Sequence, residues 1–357
     1  MAVRILKIVK YVILALILCV ILYLGYVMID YNRIADHQVL EVSGQAKGET
    51  LQRQKVYTAV TQNCGFGAYT PEFTFFMDGG RESWGKSRES VISCIDQAGK
   101  TAASFEPDFV LFQEVDTDST RSYHVNQLQQ LSEFFPEHAW DFAVNYHSAF
   151  LLYPFTQPHG ASNSGILTFS GTAIDHAERR KLEISNSFSR FLDLDRCYSV
   201  SHIPVEDGKE LVLYNVHLSA YGGSDAIRTS QMSMLLQDMR SEYAAGNYCV
   251  CGGDFNHDFT GDSTIVLGGE KITDFGWAQP FPRDLLPEGI VQCIAYDDEE
   301  LIPTCRNCDI PYQKGNPVFV VDGFLVSENV RVHQLNNIDT GFVFSDHNPV
   351  VMKFSLQ

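Results

Sequence analysis

YCVCGGDFN, residues 248–256, is the stretch on which the fold turns. Tyr248 to Cys251 form a short apolar run, and a run of this length suits a strand buried on both faces. Cys249 and Cys251 then read as small buried hydrophobes. Two glycines follow, and the strand ends on Asp254 and Asn256. The same construction recurs outward along the chain. VYTAVTQN (56–63) ends on Asn63, and DFVLFQEV (108–115) brings up Glu114. ELVLYNVHL (210–218) carries His217, and VFVVDGFLV (318–326) carries Asp322. SDHNP, with Asp346 and His347, stands before the last strand, PVVMKF. Polar side chains at strand ends converge on one rim of a sheet, where α/β proteins place their sites.

Further strands are expected at GILTF (165–169) and RCYSVSHI (196–203). Helical spacing covers SWGKSRESVISCIDQAGK (83–100) and a segment from about Ser122 to Phe134. Ile227 to Ala245 places Met232, Leu235, Leu236, Met239 and Tyr243 on one face, an amphipathic helix. Many strands alternating with helices predict an α/β protein with large sheets. No internal boundary is evident after Val56.

The strand ends supply four carboxylates, two amides and two imidazoles. That is the inventory for a hard divalent cation plus acid–base groups, and oxygen ligands suit Mg²⁺. Each residue alone has an ordinary structural role: Asn63 as a turn cap, His217 as a satisfied core histidine, Gly-Gly-Asp as a tight turn. Their joint placement at strand ends is what such roles leave unexplained.

This order resembles the endonuclease/exonuclease/phosphatase superfamily. The carrying motifs are TQN (61–63), PDFVLFQEV (107–115), YNVHLS (214–219), GGDFN (252–256), VVDGFLV (320–326) and SDHNPV (345–350). GGDFN with a late SDH is the specific part. Members of the superfamily include pancreatic-type deoxyribonucleases, abasic-site endonucleases, neutral sphingomyelinases and inositol polyphosphate phosphatases. The resemblance implies a four-layer α/β/β/α sandwich of two mixed sheets across residues 56–357. It implies that Glu114, helped by Asn63 and completed by Asp346, holds Mg²⁺, with Mn²⁺ as the other candidate. His347 is expected to pair with Asp322, Asp254 to orient or deprotonate the attacking water, Asn256 to donate to the phosphoryl oxygen, and His217 to donate from the opposite side. The assignment of the general base to Asp254 or His347 stays open. The chain departs from many relatives at Gly323, where they carry an aromatic residue. It also has a long apolar insertion after Asn63, FGAYTPEFTFFMDGG (66–80).

GRESWGKS (80–87) fits the phosphate-cradling pattern G-x-x-x-x-G-K-[ST]. Trp84 crowds a loop whose backbone must wrap phosphates, and the match leaves GGDFN, YNVHLS and SDH unexplained. The expected structure is a turn at Gly79, Gly80 and Gly85 before an ordinary helix. Cys305 and Cys308 form a lone C-x-x-C without the second pair a zinc site needs. A loop disulfide or two free thiols is expected there.

Tyr11 to Ile29 holds 19 residues without a charge, about 28 Å as a helix and close to a bilayer core. Arg4, Lys7 and Lys10 precede it, so the positive-inside rule places residues 1–10 in the cytoplasm and everything after Ile29 outside. The length favours an uncleaved anchor (11–29) over a signal peptide. Residues 30–55 are polar and are expected to form a stalk between anchor and domain. The full chain carries −18, and three of its 26 basic residues precede the anchor. The part outside thus holds 23 basic against 44 acidic residues, a net −21. Without a basic run, duplex nucleic acid is disfavoured as a substrate. The sequence therefore reads as a single-pass, extracytoplasmic, Mg²⁺-dependent phosphoesterase acting on a phosphodiester, with a lipid head group as the expected target and a phosphomonoester also open. Two other readings stand beside it: an extracellular nuclease of the same superfamily, and a non-catalytic protein that binds a phosphate ligand or a partner.

Overall fold

The computed structural model describes residues 2–187, 194–220, 225–267, 277–295 and 301–357. Two seven-stranded mixed sheets lie face to face with helices outside them. The strands are β1 (Gln38–Leu40), β2 (Ser43–Gly44), β3 (Tyr57–Asn63), β4 (Phe109–Asp116), β5 (Ala139–Leu151), β6 (Gly160–Ser170) and β7 (His176–Lys181). They continue as β8 (Cys197–Pro204), β9 (Glu210–His217), β10 (Tyr248–Asp254), β11 (Ile290–Cys293), β12 (Asp322–Ser327), β13 (Val330–Asn337) and β14 (Val350–Leu356). One sheet runs β1-β7-β8-β9-β10-β12-β11, and the other runs β13-β14-β3-β4-β6-β5-β2.

Period-two burial builds the layers. In β9, Leu211 and Leu213 enter the core between the sheets, while Val212, Tyr214 and Val216 face outward onto α4 (Asp225–Ala244). β10 repeats this pattern. Tyr248 and Val250 point between the sheets, and Cys249 and Cys251 pack under the helix as buried thiols. Met232, Leu235, Leu236 and Met239 are the helix side of that layer. Each contributes about 1.5–3 kcal/mol by leaving water. On the second sheet, α2 (Arg88–Ala103) covers Val60, Val110 and Phe112 with Cys94, Ile95, Ala98 and Ala102. Ser87 caps α2, its hydroxyl accepting from Ser90 N at 3.2 Å.

Several sequence expectations need correction. The helix expected over 122–134 shrinks to α3, Gln127–Ser132, because Tyr123 and His124 both take φ of 56° and break it. Only after them does Asn126 cap the helix, accepting from Gln129 N. The strand expected over 318–326 is interrupted: Val318–Phe319 pairs with Cys305–Arg306, and β12 begins only at Asp322. Residues 38–44, expected within a stalk, carry β1 and β2, one on each sheet. Leu40 and Leu51 are buried in the central core, which draws this segment into the fold. GRESWGKS is preceded by a 3₁₀ turn, Phe76–Asp78, and not by a strand. Its amides are already engaged: Ser83 N donates to Gln157 Oε1 and Gly85 N to Arg121 O. No phosphate cradle is formed there. The departure at Gly323 also has a cause, since a Cβ there would lie 2.5 Å from the Phe259 ring.

The N-terminal helix α1 spans Ala2–Asp30 and is long and apolar enough to cross a membrane. It is tied to the domain. Asp195 pairs with Arg33 and accepts from Ile34 N at 2.8 Å. Asp36 accepts from Lys181 N at 2.8 Å.

Candidate active site

Strand register brings the polar residues together. Asp254, at the end of β10, lies level with His217 at the end of parallel β9 and with Asp322 at the start of antiparallel β12. In the facing sheet, Asn63 ends β3 and pairs with Gln113 of parallel β4, one residue before Glu114. β14 runs antiparallel to β3, with Val350 opposite Thr61, so Asp346 and His347 enter at the same rim. Both sheets thus deliver their functional ends to one mouth. A bulge between Phe112 and Val115 turns Glu114, at φ 54°, out of the strand line.

All eight residues expected from sequence gather here. Asn63 Nδ2 donates to Asp254 Oδ2 at 3.0 Å and to Glu114 Oε1 at 3.3 Å. Its Oδ1 accepts from Gly65 N at 2.9 Å, which fixes the amide orientation. Asn63 thus turns its nitrogen to both carboxylates and its oxygen to Gly65 N, beside the carboxylates with which the resemblance groups it as a metal ligand. His347 Nδ1 lies 2.8 Å from Asp322 Oδ2, and its Nε2 lies 3.9 Å from Asp254 Oδ2. Burial opposes the charge on His347, but Asp322 and the other acidic neighbours win and hold it well above the usual imidazole range. His217 Nε2 sits 3.5 Å from Asp254 Oδ2 and 3.9 Å from Glu114 Oε1. Burial, with Arg196, His347 and Arg121 nearby, drives His217 well below that range, so it is neutral. Asn145 Nδ2 lies 3.5 Å from His217 Nδ1, which leaves Nε2 to carry the proton. Asn256 donates its backbone N–H to Asp254 Oδ1 and its side-chain amide to Leu218 O, both at 2.9 Å.

Glu114 and Asp346 are half-buried carboxylates on the cavity wall. Burial raises both, Asp346 to about 7, and Glu114 adds its own repulsion to Asp346. Their carboxylate oxygens are the donor type that a hard divalent cation takes. The ligand atoms of Asp254, Asp322 and His347 lie within 4.8 Å of one another, a group that could itself hold a metal ion. There Asp322 takes Nδ1 of His347 and leaves Nε2 facing Asp254.

The cavity holds about 270 Å³. Its described lining includes residues that no motif had flagged. Arg121, Arg196 and Arg306 set three guanidinium groups among the carboxylates of Asp78, Glu114, Asp254 and Asp346. Arg121 forks onto Asp116 at 2.8 and 3.1 Å and lies over the Phe66 ring. Arg306 donates to Thr70 O at 3.0 Å. Arg121 follows Glu114 by seven residues with no periodic signal, and Arg306 sits inside the C-x-x-C. Both of those thiols are free and buried. Cys305 Sγ lies 3.5 Å from His347 Nε2, and Cys308 Sγ lies 3.6 Å from Asp346 Oδ2. The apolar insertion forms one wall, where Phe66, Tyr69, Phe73 and Phe75 pack as a cluster of rings.

Comparison with known proteins agrees with this architecture. The model of the Endonuclease/Exonuclease/phosphatase family matches residues 60–347, and the chain belongs to that family. It is accordingly a metal-dependent phosphoric ester hydrolase. Among solved structures, an endonuclease/exonuclease/phosphatase from Beutenbergia cavernae superposes with a TM-score of 0.58 at 16% identity, over 85% of this chain and 72% of that one. One from Bacteroides vulgatus gives 0.54 at 16% identity, over 85% and 100%. TDP2 from C. elegans gives 0.52 at 13% identity, over 85% and 76%. A search of the curated proteins finds no match.

Proposed function

We propose that the chain is a membrane-anchored hydrolase that cleaves the phosphodiester of a lipid head group on the extracytoplasmic side. One observation carries this reading: the acid–base cluster lies in a small cavity, walled by rings and guanidinium groups, on a domain tied to a helix of membrane-spanning length. A volume of about 270 Å³ is near the small end of ligand pockets, about 300–1,000 Å³, and suits a head group better than a duplex.

Glu114 and Asp346 would hold a divalent cation, Mg²⁺ or Mn²⁺, which supplies charge against a phosphate oxygen. Asn63 sets the angle of Glu114 and Asp254. Asp254 is placed to take the proton of the attacking water, because His347 is kept charged by Asp322 and is suited to donate. His347 and the neutral His217 then face the phosphate from two sides as hydrogen-bond donors, with Arg121 and Arg306 adding positive potential. Asn256 supports this by fixing Asp254 through its backbone N–H. In-line displacement at phosphorus expels the alcohol.

The test uses the full chain in phospholipid nanodiscs carrying sphingomyelin or phosphatidylcholine, with Asp254→Ala as the blank. Release of phosphocholine that stops with chelator and in the variant is the expected result. Turnover of DNA alone, run in parallel, would overturn the lipid substrate and leave the site intact. Turnover of neither would leave a phosphomonoester or a binding role.

A further inference from the structure

β5 ends in a loop that exposes large apolar side chains. Phe150 is 38% exposed, Leu152 41%, Tyr153 64% and Phe155 83%. The rings of Tyr153 and Phe155 lie 6.0 Å apart. In water such a group is costly, and its position explains it. Tyr23 Oη of α1 donates to Phe150 O at 3.3 Å and accepts from Leu152 N at 3.1 Å. Tyr26 Oη accepts from Phe150 N at 3.0 Å. The end of this strand thus has backbone groups satisfied by hydroxyls of the apolar helix, as a dry setting requires.

Depth follows from helix geometry. Uncharged residues run from Tyr11 to Ile29, and Asp30 closes the run. Tyr23 lies six residues before that end and Tyr26 three, about 9 Å and about 4.5 Å inside it. When α1 spans a bilayer, residues 150–152 therefore sit at the boundary of head groups and hydrocarbon. Tyr and Phe are suited to that level. The strand edge and α1 cannot slide apart freely, because Arg33, Ile34 and Asp36 are bonded to the domain.

We propose that the loop 152–158 is a membrane wedge. Tyr153 and Phe155 enter the interface of the same bilayer that α1 crosses, and the partner is a phospholipid surface. The wedge is continuous with the cavity. Phe76 contacts the rings of both Tyr153 and His159, each at 5.8 Å, and His159, Phe75 and Met77 line the cavity. A lipid phosphodiester can then reach the site from the surface of the membrane. This last point rests on the lipid reading above, whereas insertion of the loop does not.

Two measurements test the wedge in the full chain reconstituted in phosphatidylcholine vesicles. Phe155→Trp adds an emitter at an exposed position, with the wild-type tryptophans as the baseline. Lipids brominated in the acyl chain should quench the added emission, and added emission that bromolipid leaves untouched overturns insertion. The double variant Y153S/F155S should cut turnover of vesicle-borne phosphodiester by about ten-fold or more, since two rings lose their apolar contact with lipid. Its turnover of soluble bis(p-nitrophenyl) phosphate should stay unchanged, because neither residue lines the cavity. Quenching without any lipid cleavage upholds the wedge and sinks the head-group substrate. Lipid cleavage with no quenching and no loss in the double variant does the reverse.

Discussion

At Asp254 the chain must bring a carboxylate to the rim past two crowded positions. A Cβ on Gly252 would lie 2.5 Å from the Phe324 ring, and one on Gly253, at φ 150°, would lie 2.1 Å from Val216 O. Glycine is thus demanded where β10 presses on β9. Gly253→Ala should push the strand away, lower the thermal midpoint and abolish turnover, and intact activity would contradict this steric reading. Asp254→Asn keeps the volume and the bond to Asn256 N but cannot take a proton. It should lower kcat by about 10²–10⁴-fold and lower the thermal midpoint modestly, since the new amide nitrogen meets the Asn63 Nδ2 donor. The proposed metal pair, Glu114 and Asp346, gives a further outcome that needs no substrate. Mg²⁺ should raise the thermal midpoint of the wild-type chain, by about 2.7 kcal/mol of stability at a hundred-fold excess over Kd. Glu114→Gln with Asp346→Asn should remove that shift in a thermal-melt titration. Equal shifts in both proteins would place the cation elsewhere.

Between the sheets the interior is not wholly apolar, and this is where element-level reading from sequence fell short. Gln113 Nε2 of β4 donates to Asn215 Oδ1 of β9 at 2.8 Å, and Asp141 of β5 accepts from Ser201 Oγ of β8 at 2.6 Å. Burial drives the Asp141 carboxyl up to about 7 against that hydrogen bond. The unfolded chain ionises this group near 4 and the folded chain near 7, so the folded state holds the extra proton between them. Stability is therefore lost as pH rises from about 4 to about 7. Asp141→Asn should recover on the order of 4 kcal/mol above pH 7 and nothing below pH 4, read as the thermal midpoint across that range. The same residue shows why β5 went unread. Its inward positions are Ala139, Asp141, Ala143 and Asn145, small or polar side chains that carry no hydrophobic alternation. β9, β10 and β4 were legible because they are buried on both faces and nearly all apolar. Arg121 reaches the cavity from a 3₁₀ turn, Arg306 from a two-residue strand and Asn145 from β5, so spacing along the chain gave no hint of them.

Across the whole molecule, charge and the proposed anchorage work against each other. The part beyond Ile29 carries a net −21, yet β1, β2 and the Arg33–Asp195 pair hold it against the helix instead of on a loose stalk. A polar composition suggested the stalk, and only burial of Leu40 and Leu51 reveals the docking. On the proposed anchorage, an acidic body held at the surface is repelled by anionic lipid within a Debye length, about 8–10 Å at moderate salt. The cavity's three arginines are sunk within the domain and offset this only locally. Turnover of vesicle-borne substrate should therefore fall as phosphatidylserine replaces phosphatidylcholine, and added salt should restore it by screening. Soluble phosphodiester, which samples the bulk, should show no such dependence on lipid charge. A rate that instead rises with phosphatidylserine would mean that a basic face, and not the apolar loop, meets the membrane.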